Sequence, residues 1–116
     1  MERFRLPKAH LLRKSREFDR VYRQGRRMRG HGMQIIFRPN DLPYNRLGIS
    51  VHRKTGGAVR RNRIKRIIRE SFRCNRDLYP LNSDIVVTVR PDFGLDSAHD
   101  VTSTVAAMMA SGKARE

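Results

Sequence analysis

AVRRNRIKRIIRESFR, residues 58–73, carries seven Lys or Arg side chains and a single acid, Glu70. At 100° per residue, the apolar side chains and one serine fall on one side: Ile64, Ile67, Ile68, Ser71 and Phe72. The opposite side is formed by basic side chains and one asparagine: Arg61, Asn62, Lys65, Arg66, Arg69 and Arg73. The spacing therefore predicts an amphipathic helix with an apolar back and a basic front.

The charge on this front favours nucleic-acid binding. A charged helix face that only contacts water usually mixes signs, with acidic and basic residues four apart. Here the front is almost purely positive and mostly Arg, whose planar fork can donate two hydrogen bonds to one phosphate. Asn62 within the stripe can bond a base edge, a ribose hydroxyl or the local backbone.

The whole chain has 116 residues and a net charge of +15, which predicts one compact domain over residues 1–116 that meets a polyanion. Of its 26 Lys and Arg residues, 22 precede Cys74. The binding surface should therefore lie in the first two thirds. Apolar residues make up 38%, which is enough for a modest core.

The expected compartment is the cytoplasm. Cys74 is the one cysteine, so it has no disulfide partner within the chain, which favours a reducing environment. No apolar run approaches membrane-spanning length, and the first residues lack the long apolar stretch of a signal peptide. We therefore expect no membrane partner.

Upstream of the basic helix, SREFDRVYRQG at residues 15–25 predicts a short helix that Ser15 caps and Gly25 ends. Phe18 and Tyr22 share one face of it with Val21. The two rings either belong to the core or form a stacking platform for unpaired bases. Residues 26–32, RRMRGHG, are interpreted as a flexible basic connector.

The remaining pattern predicts an α/β sandwich around one small sheet. MQIIF at 33–37 and RLGISVH at 46–52 are strands that can form an antiparallel hairpin. DIVVTV at 84–89 is apolar nearly throughout, which is typical of a central strand buried on both faces. Residues 97–110 predict a last helix with four inward side chains: Val101, Val105, Met108 and Met109.

Enzyme signatures are missing from the sequence. The four histidines are scattered and Cys74 stands alone, so no spacing resembles a zinc site. No phosphate-binding loop, nucleophile motif or acid pair for nuclease metals is evident. We therefore expect neither a catalytic residue nor a metal site in the protein chain itself.

RKTGGAVRRNRIKRIIRESFR, residues 53–73, closely resembles the signature of the bacterial ribonuclease P protein subunit, centred on Arg61, Asn62 and Arg63. Three further segments resemble the same family: SREFDRVYRQG, NRLGISVHRK and DIVVTVRP. The likeness covers about residues 10 to 92 in unbroken order.

The resemblance implies a fold in the order α-β-β-β-α-β-α with a left-handed βαβ crossover, an exception to the usual handedness. It also implies a function. The partner is a large catalytic RNA that removes the 5′ leader of precursor tRNA with Mg²⁺ held mainly by the RNA. The protein is then a non-catalytic cofactor of a ribozyme, with no obligate protein partner.

By position, the resemblance assigns eight residues to catalytic-RNA binding: Arg53, Lys54, Arg61, Asn62, Arg63, Lys65, Arg66 and Arg69. It assigns four to a cleft for the single-stranded leader: Phe18, Tyr22, Ile36 and Ser50. Some family members have an aromatic residue where this chain has Ile36. The adjacent Phe37 should point to the opposite face of its strand.

The alternative is a ribosomal or DNA-binding structural protein without a catalytic partner. The basic helix alone permits that interpretation. The combination of this helix with the Phe18 and Tyr22 segment and two family-like strands argues against it.

Overall fold

The computed structural model describes residues 6–111, and the single domain expected over residues 1–116 extends beyond them at both ends. The helices are α1 (Ser15–Gln24), α2 (Ala58–Cys74) and α3 (Ala98–Ala110). The strands are β1 (Arg26–Gly30), β2 (Met33–Pro39), β3 (Arg46–Val51) and β4 (Ser83–Val89). Short 3₁₀ turns cover Lys8–His10, Arg53–Thr55 and Arg76–Leu78. The order α-β-β-β-α-β-α is confirmed.

The prediction of a flexible connector at residues 26–32 was wrong, because these residues form β1 and a tight turn into β2. The turn residues His31 and Gly32 have φ values of 53° and 78°, the left-handed conformation that a two-residue hairpin requires. A Cβ atom on Gly32 would lie 2.5 Å from the Phe93 Cα atom. Gly32 is therefore needed for both its conformation and its lack of a side chain.

The predicted hairpin between residues 33–37 and 46–52 was also wrong. The strand order is β1-β2-β4-β3, so β4 lies between β2 and β3. It pairs antiparallel with β2 and parallel with β3, and α2 connects the two parallel strands. β4 takes the inner position because its side chains are buried on both faces, as its apolar sequence indicated.

One face of the sheet is covered by α2 and α3. The apolar back of α2 is buried there as predicted, with Ile64, Ile68 and Phe72 against Ile35 and Ile85. The Tyr79 ring meets Phe72 edge-on at a centroid distance of 5.2 Å. The Ser71 hydroxyl lies 2.8 Å from the Tyr79 hydroxyl, so these two buried polar atoms are paired.

The other face is covered by α1. Leu12, Val21, Ile36 and Val86 form a small core of which each member is at most 4% exposed. Ser15 is the first residue of α1 and not its cap. Instead, the Glu17 carboxylate accepts hydrogen bonds from the backbone N–H groups of residues 13 and 14, at 2.9 and 3.0 Å.

None of the helices within residues 6–111 is both long enough and apolar enough to cross a membrane.

Candidate nucleic-acid interface

The front of α2 presents the predicted basic side chains together. Asn62, Arg63, Arg66 and Arg69 are exposed, whereas Arg61 and Lys65 are half-buried. Two more predicted residues, Arg53 and Lys54, are exposed in the 3₁₀ turn that precedes α2. The eight residues thus lie along one helix and the turn before it.

Hydrogen bonds show that some side chains of α2 hold the helix in place, whereas others keep donors available for a ligand. Arg60 donates to the carbonyl oxygens of Thr55 and Phe93 at 2.8 and 3.0 Å, and so fastens α2 to the loop after β4. Arg63 donates from one terminal nitrogen to the Asp96 carbonyl at 3.1 Å, which leaves other N–H groups of its fork for a ligand. The Asn62 amide bonds no other residue in the part of the chain that the structure describes.

The rings of α1 lie at the margin of its small core. A Cβ atom on Gly48 would lie 2.6 Å from the Phe18 Cζ atom, so the glycine in β3 makes room for this ring. Tyr22 lies one turn further along α1, and its carbonyl accepts a hydrogen bond from Arg27 at 2.6 Å. Phe18 and Tyr22 are both half-buried, so each packs against the core and keeps a part of its surface exposed.

Ile36 was wrongly assigned to the leader cleft. Its side chain is completely buried, because α1 passes directly over it and Val21 packs in the same cluster. No surface of Ile36 remains for a ligand. Phe37 points to the opposite face, as predicted, and packs against the core under α2 and α3.

A row of polar side chains crosses the sheet beside the buried Ile36. Ser50 pairs with Thr88 across β3 and β4, Thr88 pairs with Gln34, and Gln34 pairs with Arg29 of β1. Strand alternation places all four on the face that carries α1. Arg29 is exposed and the other three are half-buried. Among residues 6–111, none of these side chains has a hydrogen-bond partner.

Only Ser50 of this polar row was predicted from the sequence. Gln34 and Thr88 interrupt two mainly apolar strand segments, so alternation along each strand could have identified them. Arg29 could not be found in this way, because its segment was not assigned as a strand.

The other side of α1 is closed by an ion pair. Arg46 donates two hydrogen bonds to the Asp84 carboxylate, each at 2.7 Å, and Asn40 donates a third at 3.0 Å. Burial alone would raise the pKa of Asp84, but the hydrogen bonds from Arg46 and Asn40 hold it below its usual value. The Glu17 carboxylate lies 3.6 Å from Arg46, which ties α1 to this ion pair.

A cavity of about 220 Å³ joins the aromatic margin of α1 to the basic front of α2. Its lining includes Phe18 and Gly48 together with Lys65 and Arg69 of α2. The predicted aromatic and basic residues therefore meet at one continuous surface. The arrangement places a ring and two cations in the lining of one cavity.

Comparison with known proteins agrees with this arrangement. The family model described as Ribonuclease P matches residues 6–112. The ribonuclease P protein component of Desulfotalea psychrophila is 56% identical over 108 residues, which cover 93% of this chain and 90% of that protein. The component of Thermotoga maritima is 44% identical over 79 residues, covering 68% of each protein.

Solved structures show the same fold. The Staphylococcus aureus RNase P protein at 2.0 Å matches with a TM-score of 0.78 and 30% identity, covering 94% of this chain and all of that one. The T. maritima RNase P protein in complex with 1-(4-fluorophenyl)-2-thiourea matches with a TM-score of 0.69 and 36% identity, over 86% of this chain and 94% of that one. These matches do not favour the ribosomal or DNA-binding alternative. The chain therefore belongs to the ribonuclease P protein family, as a component of the endoribonuclease that matures the 5′ ends of tRNA, where it associates with the RNA of that enzyme.

Proposed function

We propose that the chain serves the holoenzyme through two surfaces. The basic front of α2 binds the catalytic RNA, and the cleft between α1 and the polar row of the sheet binds the single-stranded 5′ leader of precursor tRNA. Because mature tRNA lacks the leader, the cleft lets the holoenzyme hold precursor more tightly than product. Removal of the leader takes place in the cytoplasm, where a single cysteine stays reduced.

The observation that carries the leader site is the polar row on the sheet face that also carries α1 and its two half-exposed rings. Buried polar side chains usually find partners within the protein, whereas these four keep access to solvent, so their donors and acceptors are available to a ligand. The rings of Phe18 and Tyr22 lie four residues apart on α1 and offer faces on which unpaired bases can stack. Each stacked base contributes roughly 1–3 kcal/mol.

The catalytic-RNA surface is supported by exposure and by the choice of side chain. Arg66 and Arg69 are exposed on the front of α2, and the free amide of Asn62 lies on the same helix. The planar guanidinium group of arginine can donate two hydrogen bonds to phosphate oxygens. Binding to phosphates also displaces the counterions condensed on the RNA, so the affinity depends on the salt concentration.

Mg²⁺ in this proposal is held mainly by RNA phosphates. Within residues 6–111, no group of three or more His, Cys, Asp or Glu side chains is placed to hold a metal ion. The part of the protein residues in this proposal is to lower the repulsion between phosphate-rich strands and to position the leader, with no further obligate protein.

The test of the leader site is the affinity of the assembled holoenzyme for precursor and for mature tRNA, at fixed salt and Mg²⁺. Tyr22→Ala should weaken precursor binding several-fold and leave mature tRNA binding and catalytic-RNA assembly unchanged. Tyr22→Phe is the matched control, because it keeps the ring and should bind both ligands like the wild type. Equal losses for the two tRNAs, or a loss that follows unfolding of the protein, would refute the leader role.

The catalytic-RNA surface is tested by salt dependence. Arg66→Ala should weaken binding of the protein to the catalytic RNA and reduce the salt slope by about one phosphate contact. Arg20→Ala removes the same charge from the exposed outer side of α1 and should change neither quantity. If Arg66→Ala leaves affinity and slope unchanged, the basic front only contacts water.

A further inference from the structure

We propose that a second groove, between residues 6–13 and α2, extends the leader site and binds the leader nucleotides beyond those that stack on Phe18 and Tyr22. Residues 6–13 are called the arm below, and the space between the arm and α2 is called the arm groove. The inference rests on the proposed leader site and adds a second subsite to it.

The arm is fastened to the edge of the sheet. Leu11 pairs in parallel with Leu47, and the Leu12 N–H donates to the Leu47 carbonyl at 2.8 Å. His10 stacks on the Tyr44 ring at a centroid distance of 3.8 Å, and its Nδ1 atom lies 3.0 Å from a terminal nitrogen of Arg76. These contacts hold the arm in place as one wall of the groove.

Two cavities form one path along this wall. The cavity of about 220 Å³ begins at Phe18 and reaches Leu11 and Arg69. A second cavity of about 310 Å³ has Leu11 and Arg69 in its lining as well, and continues to Leu6 and Arg73. Because they share these two lining residues, the cavities are adjacent, and we take them together as one groove that starts at Phe18 of the proposed leader cleft.

The chemistry of the arm groove fits single-stranded RNA. Its arm side is apolar, formed by Leu6 and Leu11, and can receive base faces. Its α2 side carries cations, among them Arg66 and Arg69, at the spacing of a helix face. Glu70 in the lining is paired with Arg73 at 2.6 Å, so its charge is offset. An apolar ligand would leave the cations without a counter-charge, whereas a nucleotide strand supplies phosphates.

Continuity with Phe18 indicates which strand enters. The ring that ends the proposed leader cleft also lines the first cavity of the arm groove, so a leader stacked on Phe18 needs no turn to continue there. The occupant we infer is therefore the distal part of the 5′ leader. A strand of the catalytic RNA is the competing occupant, because Arg66 and Arg69 also belong to its proposed surface, and the experiment distinguishes the two.

The experiment measures the affinity of preassembled holoenzyme for two precursor tRNAs. One has a leader just long enough to reach Phe18, and the other has a leader several nucleotides longer. The wild type should bind the longer leader several-fold more tightly. Leu6→Gln should reduce this gain, measured as the ratio of long-leader to short-leader affinity, and leave short-leader affinity unchanged. Arg69→Ala, which also lies on the proposed catalytic-RNA surface, is judged by this ratio alone and should reduce it. Arg69→Ala should also flatten the salt dependence of the ratio, whereas Leu6→Gln should not, because it removes no charge.

Matched controls are Leu81→Gln and Arg20→Ala, which make the same chemical changes at exposed positions outside the groove and should keep the gain. A wild type without a length-dependent gain, or a gain that persists in both groove variants, would overturn the inference. So would equal losses for short and long leaders, which would assign the groove to the catalytic RNA. Tyr22→Ala with the short leader tests the proposed leader cleft separately, so the two proposals can fail independently.

Discussion

The two faces of the sheet differ in how completely they are sealed. The face under α2 and α3 is apolar along β2, β3 and β4, and its buried hydroxyls, such as those of Ser71 and Tyr79, bond each other. The face under α1 has apolar packing only in its middle, around Ile36. The ion pair lies on one side of this apolar middle, and the polar row lies on the other side.

The difference shows how a small protein separates stability from binding. Two helices seal one face, and there the packing stabilises the fold. The single helix α1 covers a strip of the other face, and the uncovered polar row is where a ligand can add contacts. Substitutions on the first face should therefore change stability, and substitutions along the polar row should change binding.

The largest effect is expected from Phe72→Ala. Phe72 is completely buried, its ring meets Tyr79, and the Arg76 guanidinium lies 4.5 Å from the ring centroid. Removing the ring should lower the free energy of unfolding by about 3–5 kcal/mol. Urea unfolding followed by circular dichroism measures this loss, and Tyr22→Ala on the other face should lose much less. If the two losses are equal, the faces do not differ as described.

A smaller loss is expected from Asp84→Asn, which removes the charge that Arg46 and Asn40 bind. The substitution should destabilise the protein by about 1–3 kcal/mol at neutral pH. The folded-state pKa of Asp84 is lowered, so its contribution is present above the ordinary carboxyl pKa and disappears as the pH falls through the folded-state value.

The check on Asp84 is a series of urea-unfolding curves from neutral to acid pH. The wild type should lose stability on acidification more steeply than Asp84→Asn. Parallel pH profiles for the two proteins would show that Asp84 does not contribute to the acid sensitivity.

The helices were predicted well from sequence because their signals are local. The 3.6-residue periodicity of α2 identified its buried back, and its length was correct to within one residue. The central position of β4 was also visible, since DIVVTV is apolar nearly throughout. Neither inference needed knowledge of distant contacts.

The errors had three physical causes. The sequence could not show that β4 inserts between β2 and β3, because neighbouring strands more often pair. β1 was missed since it is rich in arginine and buries only Met28 in the core. Ile36 was misassigned for a third reason: strand alternation gives the face of a residue but not the path of the helix that covers it.

A third prediction concerns alkaline pH and the sealed face. Burial raises the pKa of the Tyr79 hydroxyl to about 12 from the ordinary 10.0, and the hydrogen bond with Ser71 partly opposes this shift. Its contribution to stability is therefore present below pH 10.0 and is lost as the pH rises towards about 12. Tyr79→Phe should cost about 1 kcal/mol at neutral pH through the lost hydrogen bond.

Unfolding curves at neutral and alkaline pH provide the measurement. The stability of Tyr79→Phe should fall less than that of the wild type over the alkaline range. Acid sensitivity should be the same in both proteins, because Asp84 lies on the other face. A wild type and a variant with equal alkaline losses would contradict the role of this hydroxyl.

The smallest effect, and the one most specific to binding, is expected from Ser50→Ala in the polar row. Its hydroxyl has no hydrogen-bond partner within residues 6–111, so its removal should change the free energy of unfolding by less than about 0.5 kcal/mol. If the hydroxyl bonds the leader, precursor tRNA should bind more weakly by about 0.5–1.5 kcal/mol, with mature tRNA unaffected. Thr88 is the neighbour of Ser50 in the polar row, and Thr88→Val should have the same effects on stability and on precursor binding.

Ser103→Ala is the matched control for this last test, since Ser103 is an exposed serine of α3 on the sealed side of the sheet. It should change neither stability nor either affinity. The informative quantity is the ratio of precursor to mature affinity, because a general defect in assembly lowers both affinities together. If Ser50→Ala and Thr88→Val keep this ratio and remain stable, the polar row does not contact the leader, and the contrast between the two faces is one of packing alone.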